Sequence, residues 1–212
     1  MPDPAQKLMI GVLGSGRGSN LESILQAVEK EPGYPARVAL VISDVPGAPI
    51  LDRARRRGIP ATDVPVEGQR GRLPRESELA MVEALEHRGV RLVVLAGFMR
   101  VLRGPLLDAF PGAIINIHPS ILPSFPGLEA WSQALEYGVK VTGCTVHYVD
   151  KGIDTGPIIG QRAVPVLPED TPRSLHARIQ EQEHQLYPEV VRWIAEGRCS
   201  TEGRRVIVAP PP

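Results

Sequence analysis

Leu8-Met9-Ile10-Gly11-Val12-Leu13-Gly14-Ser15-Gly16-Arg17-Gly18-Ser19-Asn20 is a short apolar run that ends in a glycine-rich stretch. Directly after it, Leu21 to Lys30 sets Leu21, Ile24, Leu25 and Val28 on one helical face, and Val38 to Ile42 returns as a β-rich run. Strand, helix and strand in that order predict a βαβ unit, the building block of a parallel sheet with helices on its faces. The glycines fall where the strand hands over to the helix, and free backbone N–H groups there can surround a phosphate. The ordinary alternative is a flexible turn. The third glycine of a GxGxxG fingerprint would fall at Ser19, and no Gly-Lys-Ser/Thr sequence supplies a P-loop. A compact sugar phosphate therefore suits the loop better than a dinucleotide or a nucleoside triphosphate. Asp44, in Ser43-Asp44-Val45-Pro46-Gly47, has the place of a ribose-binding acid but equally that of an ordinary turn residue.

The alternation continues outward from this unit. Ala48 to Arg57 predicts a second helix, Ile59 to Val64 a short strand, Glu76 to Arg88 a third helix and Leu92 to Ala96 a buried strand. Val66 to Pro74, rich in glycine and arginine, reads as a mobile loop. Ile114 to Ile117 predicts a fifth strand, Leu128 to Tyr137 a helix, and Val141 to Val149 and Ile158 to Val164 two further strands, which makes the sheet mixed. Thr171 and Pro172 are the N-cap and first residue of a long last helix, with Leu175, Ile179, Leu186, Val190, Val191 and Ile194 on its apolar face and Pro188 as a point of kinking or splitting. Arg205 to Val208 is a last strand candidate before the terminal prolines Pro210, Pro211 and Pro212. No internal repeat or linker is evident, so one α/β domain is the simpler expectation for 212 residues.

Composition bounds the function. Lys plus Arg and Asp plus Glu number 24 each, so no global field favours wrapping nucleic acid or an anionic membrane, and any anion must be held locally. The 42% hydrophobic content supports a real core, yet the longest apolar stretches are far shorter than a membrane span and the N-terminus lacks a signal-peptide pattern. A soluble, cytoplasmic protein is expected. Cys144 and Cys199 form neither a CxxC pair nor a disulfide framework, and Cys144 reads as a small buried residue rather than a nucleophile.

Two segments carry chemistry. Asn116-Ile117-His118-Pro119-Ser120 leaves the end of the fifth strand, where open α/β sheets bind ligands, and Asp154 lies in Gly152-Ile153-Asp154-Thr155-Gly156-Pro157. An amide donor, an imidazole and a carboxylate are the parts needed to stabilise a developing oxyanion and move one proton in acyl transfer. Each alone has an ordinary explanation as a strand-end Asn, a capping or core His and a turn Asp. Gly97-Phe98-Met99-Arg100-Val101-Leu102, after a buried strand, reads either as the wall of a pocket for a flat heterocycle or as the start of a hydrophobic helix.

These motifs, together with Val93-Val94-Leu95-Ala96 ahead of Gly97 and Ile121-Leu122-Pro123-Ser124-Phe125-Pro126-Gly127 behind Ser120, make the chain resemble the folate-dependent phosphoribosylglycinamide formyltransferases, also called glycinamide ribonucleotide transformylases, over roughly residues 8 to 197. The resemblance implies a single Rossmann-like domain of residues 1–212 with a mostly parallel, mixed sheet, its N-terminal half serving the sugar phosphate and its C-terminal half the folate and catalytic loop. It implies transfer of a formyl group from 10-formyltetrahydrofolate, as cosubstrate, to the amine of glycinamide ribonucleotide in purine biosynthesis. By the family pattern Asn116 donates to the formyl oxygen, His118 stabilises the oxyanion and relays protons, and Asp154 orients and polarises His118. The phosphate and ribose fall to Gly18, Ser19, Asn20, Gln180 and Glu183. The folate falls to Arg75, Met99, Arg100, Val101, Leu102, Asn116, Asp150 and Ile153. For Gln180 and Glu183 an exposed helix face is the ordinary alternative, and for Arg75 a generic surface arginine. A carboxylate beside His118 is expected to raise its pKa. The chemistry requires no metal, and no HExxH spacing supplies one.

One departure from the family is Leu128-Glu129-Ala130-Trp131-Ser132-Gln133, where many relatives carry a His- or Arg-containing version; no role is imported for Glu129 or Trp131. His147 reads as a supporting residue rather than a second acid. Formyltetrahydrofolate hydrolases usually carry a preceding regulatory domain, whereas this chain enters its first strand near residue 8. Methionyl-tRNA formyltransferases add a C-terminal tRNA-binding domain and usually lack the proline found here at Pro126. Small-molecule substrates are thus the expected partners, without nucleic acid or membrane, and a homodimer stays open. A noncatalytic sugar-phosphate or folate-binding module is the competing class, opposed by the intact Asn116, His118 and Asp154 set.

Overall fold

The computed structural model describes residues 7–66 and 71–211, so residues 67–70 of the expected 66–74 loop and the last proline lie outside the described residues. The chain divides into two compact units, Met1–Ile115 and Asn116–Pro212.

In the first unit, β1 (Leu8–Leu13), α1 (Ser19–Lys30) and β2 (Ala36–Ser43) form the βαβ unit that the opening stretch predicts. They are followed by α2 (Pro49–Arg56), β3 (Ala61–Asp63), α3 (Arg75–His87), β4 (Leu92–Leu95) and α4 (Pro105–Ala109). The strands run in the order β3-β2-β1-β4, and β1 pairs in parallel with both β2 and β4, as β2 does with β3. Ile10, Val12, Val93 and Val94 are fully buried, as the two covered faces of a parallel sheet require. Helix α1 starts two residues before the apolar periodicity does, because its cap is Gly18 in the left-handed region (φ 73°), a geometry that carries no apolar signature.

Gly97 to Leu102 is not helical. Leu73 N–H donates to the Val101 carbonyl (3.2 Å), Val101 N–H donates to the Gly71 carbonyl (3.0 Å), and the stretch bridges in parallel at Arg72 and Val101. The helix in this region is the five-residue α4, which begins at Pro105. Its cap comes from a distance: the buried Glu78 of α3 accepts the Leu106 N–H at 3.1 Å. No local pattern around residue 105 announces that partner.

Strand β5 (Ile114–His118) crosses the division, its first two residues in the first unit and its last three in the second. The second unit adds α5 (Ala130–Tyr137), β6 (Val141–Tyr148), β7 (Ile158–Pro165), α6 (Pro172–Ala195), β8 (Cys199–Glu202) and β9 (Arg205–Val208). Within this unit β6/β7 and β8/β9 pair antiparallel and β7/β9 parallel, so the sheet is mixed as expected. Strand β8 has no alternating pattern and is largely exposed; it exists because Gly203 (φ 60°) turns it onto β9.

Thr171 and Ser174 form the capping box that starts α6, and the helix runs unbroken through Pro188. Buried Leu186, Tyr187, Val190 and Val191 pin the turns on both sides of that proline, so the lost backbone hydrogen bond does not split the helix. Among the described residues no helix is long and apolar enough to cross a membrane.

Candidate active site

Strand alternation sets up the candidate catalytic face in the second unit. Asn116 and His118 stand two residues apart on β5 and share one face, while the buried Ile117 between them faces the opposite way. His118 is 4% exposed. Its Nε2 lies 2.8 Å from the Phe125 carbonyl, which can only accept, so that nitrogen carries a proton. Its Nδ1 lies 3.3 Å from Asp154 Oδ2, so Asp154 does reach His118.

Asp154 occupies the left-handed region (φ 53°), and its Oδ2 also accepts the Gly127 N–H at 2.8 Å. The loop that presents it is closed by Asp150, whose Oδ1 accepts from Gly152 N–H (3.0 Å) and from the Thr155 hydroxyl (2.6 Å). Gly156 is needed there, because a Cβ would run into the Tyr148 carbonyl oxygen. Ile153, at the tip, is 50% exposed.

His147 joins the site as a fourth residue. A register shift between Val146 and His147 interrupts the β6/β7 ladder at that point, the kind of irregularity that re-aims a side chain. Its Nδ1 donates to the Tyr148 carbonyl (2.8 Å), which leaves Nε2 as an acceptor for the Asn116 side-chain amide at 3.4 Å. The same Nε2 lies 3.6 Å from Asp154 Oδ1, so the carboxylate sits between two imidazoles with His118 the nearer. His147 thus stands beside both Asn116 and Asp154, within reach of the Asn116 side-chain amide.

Electrostatics here correct one expectation. Burial pushes the His118 pKa below its ordinary value, and the opposing pull of Asp154 and the Phe125 carbonyl does not overcome it. A neighbouring carboxylate raises an imidazole pKa only if the ring keeps enough solvation to bear charge, and sequence spacing says nothing about that. Burial works on Asp154 in the upward direction, yet His147 and His118, when they carry a proton on the nitrogen that faces it, and the Gly127 N–H hold its carboxyl below the usual range. The pair therefore combines an ionised carboxylate with an imidazole that gives up its second proton easily. Cys144 is fully buried and its thiol is pushed up to about 12, chiefly by burial, which excludes a nucleophilic role at neutral pH.

In the first unit, Gly18, Ser19 and Asn20 share the start of α1, and Asn20 is buried. Part of the glycine density that suggests a phosphate loop has a packing cause. A Cβ on Gly14 or Gly18 would collide with Ile50 of α2, and on Gly14 also with the Ala96 carbonyl oxygen. Met99 is 39% exposed and Leu102 is buried. Arg100 does not present a bare cation: its Nε donates to Asp44 Oδ2 at 2.7 Å and its Nη2 to the Val66 carbonyl at 3.1 Å. Arg75 is exposed at the first position of α3.

Gln180 and Glu183 lie on α6 in the second unit, where Glu183 is only 4% exposed and so is not part of a solvated face. A buried glutamate on a helix is a stronger functional signal than its sequence context gave. Trp131 stacks on His176, rings 3.7 Å apart and 5° from parallel, which accounts for the departure at that position as α5 to α6 packing.

A strand-end amide, an imidazole beside a carboxylate and a second imidazole, on a mixed α/β sheet, are the parts that a group-transfer site uses. The chain belongs to the formyl transferase family, whose model matches residues 8–191. Among its relatives, phosphoribosylglycinamide formyltransferase of Bacillus subtilis is 44% identical over 181 residues, 85% of this chain and 91% of that protein. The trifunctional purine biosynthetic protein adenosine-3 of Homo sapiens is 42% identical over 91% of this chain, which spans 19% of that longer protein. Glycinamide ribonucleotide transformylase 1 of Symbiobacterium toebii has the same fold, with a TM-score of 0.91, 52% identity and coverage of 97% of this chain and 96% of that one. A formyltetrahydrofolate deformylase of Pseudomonas syringae also superposes with a TM-score of 0.87, at 29% identity and over 67% of its own length.

Proposed function

We infer that this chain formylates glycinamide ribonucleotide in purine biosynthesis, using a folate-derived formyl donor. The observation that carries this reading is the side-chain cluster of Asn116, His118, His147 and Asp154, set in a chain whose full-length bacterial relatives bear that activity by name. The finer assignment is 10-formyltetrahydrofolate as donor.

In the proposed reaction the neutral amine of the substrate attacks the formyl carbon, and the tetrahedral centre carries a negative oxygen and a positive nitrogen. Asn116, its amide oriented by His147, donates to that oxygen. The Nε2–H of His118, bonded to the Phe125 carbonyl in the resting structure, is shared with the same oxygen. The attacking nitrogen loses a proton, N10 of the folate gains one as the carbon–N10 bond breaks, and tetrahydrofolate leaves. The His118–Asp154 pair suits that relay, because Asp154 stabilises the ring while it holds the extra proton and burial returns it to neutrality afterwards. Aligned oxyanion donors are worth about 10²–10³ in turnover each.

Gly18, Ser19 and Asn20 are assigned to the phosphate, Gln180 and Glu183 to the ribose and phosphate end, and Arg75, the Met99–Leu102 segment, Asn116, Asp150 and Ile153 to the folate. A hydrolase is the less favoured reading, since the deformylase neighbour shares 29% identity against 52% for the transformylase neighbour. Purified protein given 10-formyltetrahydrofolate should make tetrahydrofolate only when glycinamide ribonucleotide is present. Formate release without the amine acceptor would favour the hydrolase, and inertness under both conditions would favour a binding module.

A further inference from the structure

We propose that Asp44 is a positioning residue that locks the phosphate loop and the folate-bordering segment into one arrangement, acting through Ser15 and Arg100; this rests on the substrate assignment above. The Asp44 carboxylate is 2% exposed and carries two charge-assisted bonds. On one side Oδ1 accepts from the Ser15 hydroxyl at 2.5 Å, and on the other Oδ2 accepts from Arg100 Nε at 2.7 Å. The Ser15 hydroxyl in turn accepts the backbone N–H of Met99 at 3.0 Å, and the Ser15 N–H donates to the Gly97 carbonyl at 3.1 Å. A chain of bonds therefore runs from the glycine loop to Met99 and back through Arg100 to the end of β2.

The close fit of Gly14 against the Ala96 carbonyl, where a Cβ would collide, shows independently that loop and segment are built in contact. The start of the neighbouring stretch is drawn into the same knot, because Val66 N–H donates to the Asp44 carbonyl (3.1 Å) and the Val66 carbonyl receives Arg100 Nη2. A buried Arg–carboxylate pair is poor evidence for stability, since desolvation offsets much of its attraction. Its geometry here instead ties the glycine loop to the Met99–Arg100 segment through directional bonds. Neither substrate is expected to touch Asp44, so its removal should loosen both sites without altering the reacting groups.

The test is Asp44→Ala and Ser15→Ala, separately and together, read by steady-state kinetics and by calorimetric titration with tetrahydrofolate and with glycinamide ribonucleotide. Each variant should raise KM for both substrates by about tenfold, within the usual range of coupling between sites, with kcat within about twofold. The double variant should be little worse than Asp44→Ala, because both changes break one chain of bonds. Asp44→Asn, which keeps an acceptor for Ser15 but loses the charge facing Arg100, should recover part of the affinity. Ser15→Ala leaves the buried ion pair in place, so it remains informative if Asp44→Ala does not fold. A loss confined to one substrate, a fall in kcat at unchanged KM, or wild-type titrations in folded variants would overturn the proposal. A wild-type protein that binds neither ligand would instead overturn the substrate assignment on which it rests.

Discussion

Replacing Asp154 by Asn changes one atom and one charge at the His118 contact and very little else. The left-handed backbone at this position (φ 53°) is one that asparagine tolerates, and an amide oxygen can still accept the Gly127 N–H, so the loop should keep its shape. What is lost is a full negative charge 3.3 Å from His118 Nδ1. At an effective dielectric of about 20 that attraction is roughly 5 kcal/mol for a protonated ring, before reorganisation and solvent reduce it. A net loss of about 3–4 kcal/mol in the transition state corresponds to a fall in kcat of about 10²–10³. KM should change much less, because the ground state gains little from a charge on His118.

The sign of the titration follows from the same contact. In the wild-type protein Asp154 works against burial to keep the His118 pKa up; without its charge burial acts with less opposition, so the pKa must fall further. The assay is stopped-flow or steady-state turnover, paired with an NMR titration of the His118 ring in both proteins. A variant with wild-type turnover, or one whose His118 pKa rises, would refute the assignment of Asp154 as the partner that stabilises the imidazolium.

Other outcomes follow from the same geometry. His147→Phe keeps the ring volume but leaves the Asn116 amide without its acceptor, and should lower kcat by about tenfold, in line with the loss of one ordinary hydrogen bond, with KM little affected. Stability should decline as pH falls. The folded His118 and Asp154 pKa values are both depressed, so each contribution is present above the unfolded value and lost as pH drops through the folded one: first below about 6.5 for His118, then below about 4 for Asp154. Thermal midpoints measured against pH should show the first decline in the wild type, and His118→Asn should flatten it. Glu78→Ala removes the distant cap of α4 and should cost about 1–2 kcal/mol in denaturant unfolding; an unchanged midpoint would mean that water replaces the carboxylate there. Cys144 should resist alkylation at pH 8 in the folded protein and react once unfolded.

Where the sequence carried strong periodicity, it was legible to within a residue or two. Strand β1 matches its apolar run, and β5 extends its predicted run only by His118. The unbroken path of α6 through Pro188 was not legible, because it depends on buried neighbours on both sides of the proline. Helix α4 and strand β8 were missed for a related reason: one is capped by Glu78 from a different helix and the other is a polar strand that exists only as the partner of β9. The Gly97–Leu102 stretch, with two readings open, is not helical, and its Val101 hydrogen-bonds to Gly71 and Leu73.

The chemistry divides along the same line. The order of residue types determined that an amide and an imidazole share one face of a strand end, since alternation along a strand is a local property. The strand, helix and strand around the glycines after β1 determined the α/β class by the same local logic, and the resemblance to the formyltransferases implied the rest of the fold. Only tertiary structure decided that Asp154 lies against His118, that His147 stands beside Asn116, and that Arg100 is held by Asp44 and the Val66 carbonyl. It alone also set the direction of the His118 titration, because that depends on how much water the folded chain leaves around the ring, and solvation is a property of the packed environment and not of the residue.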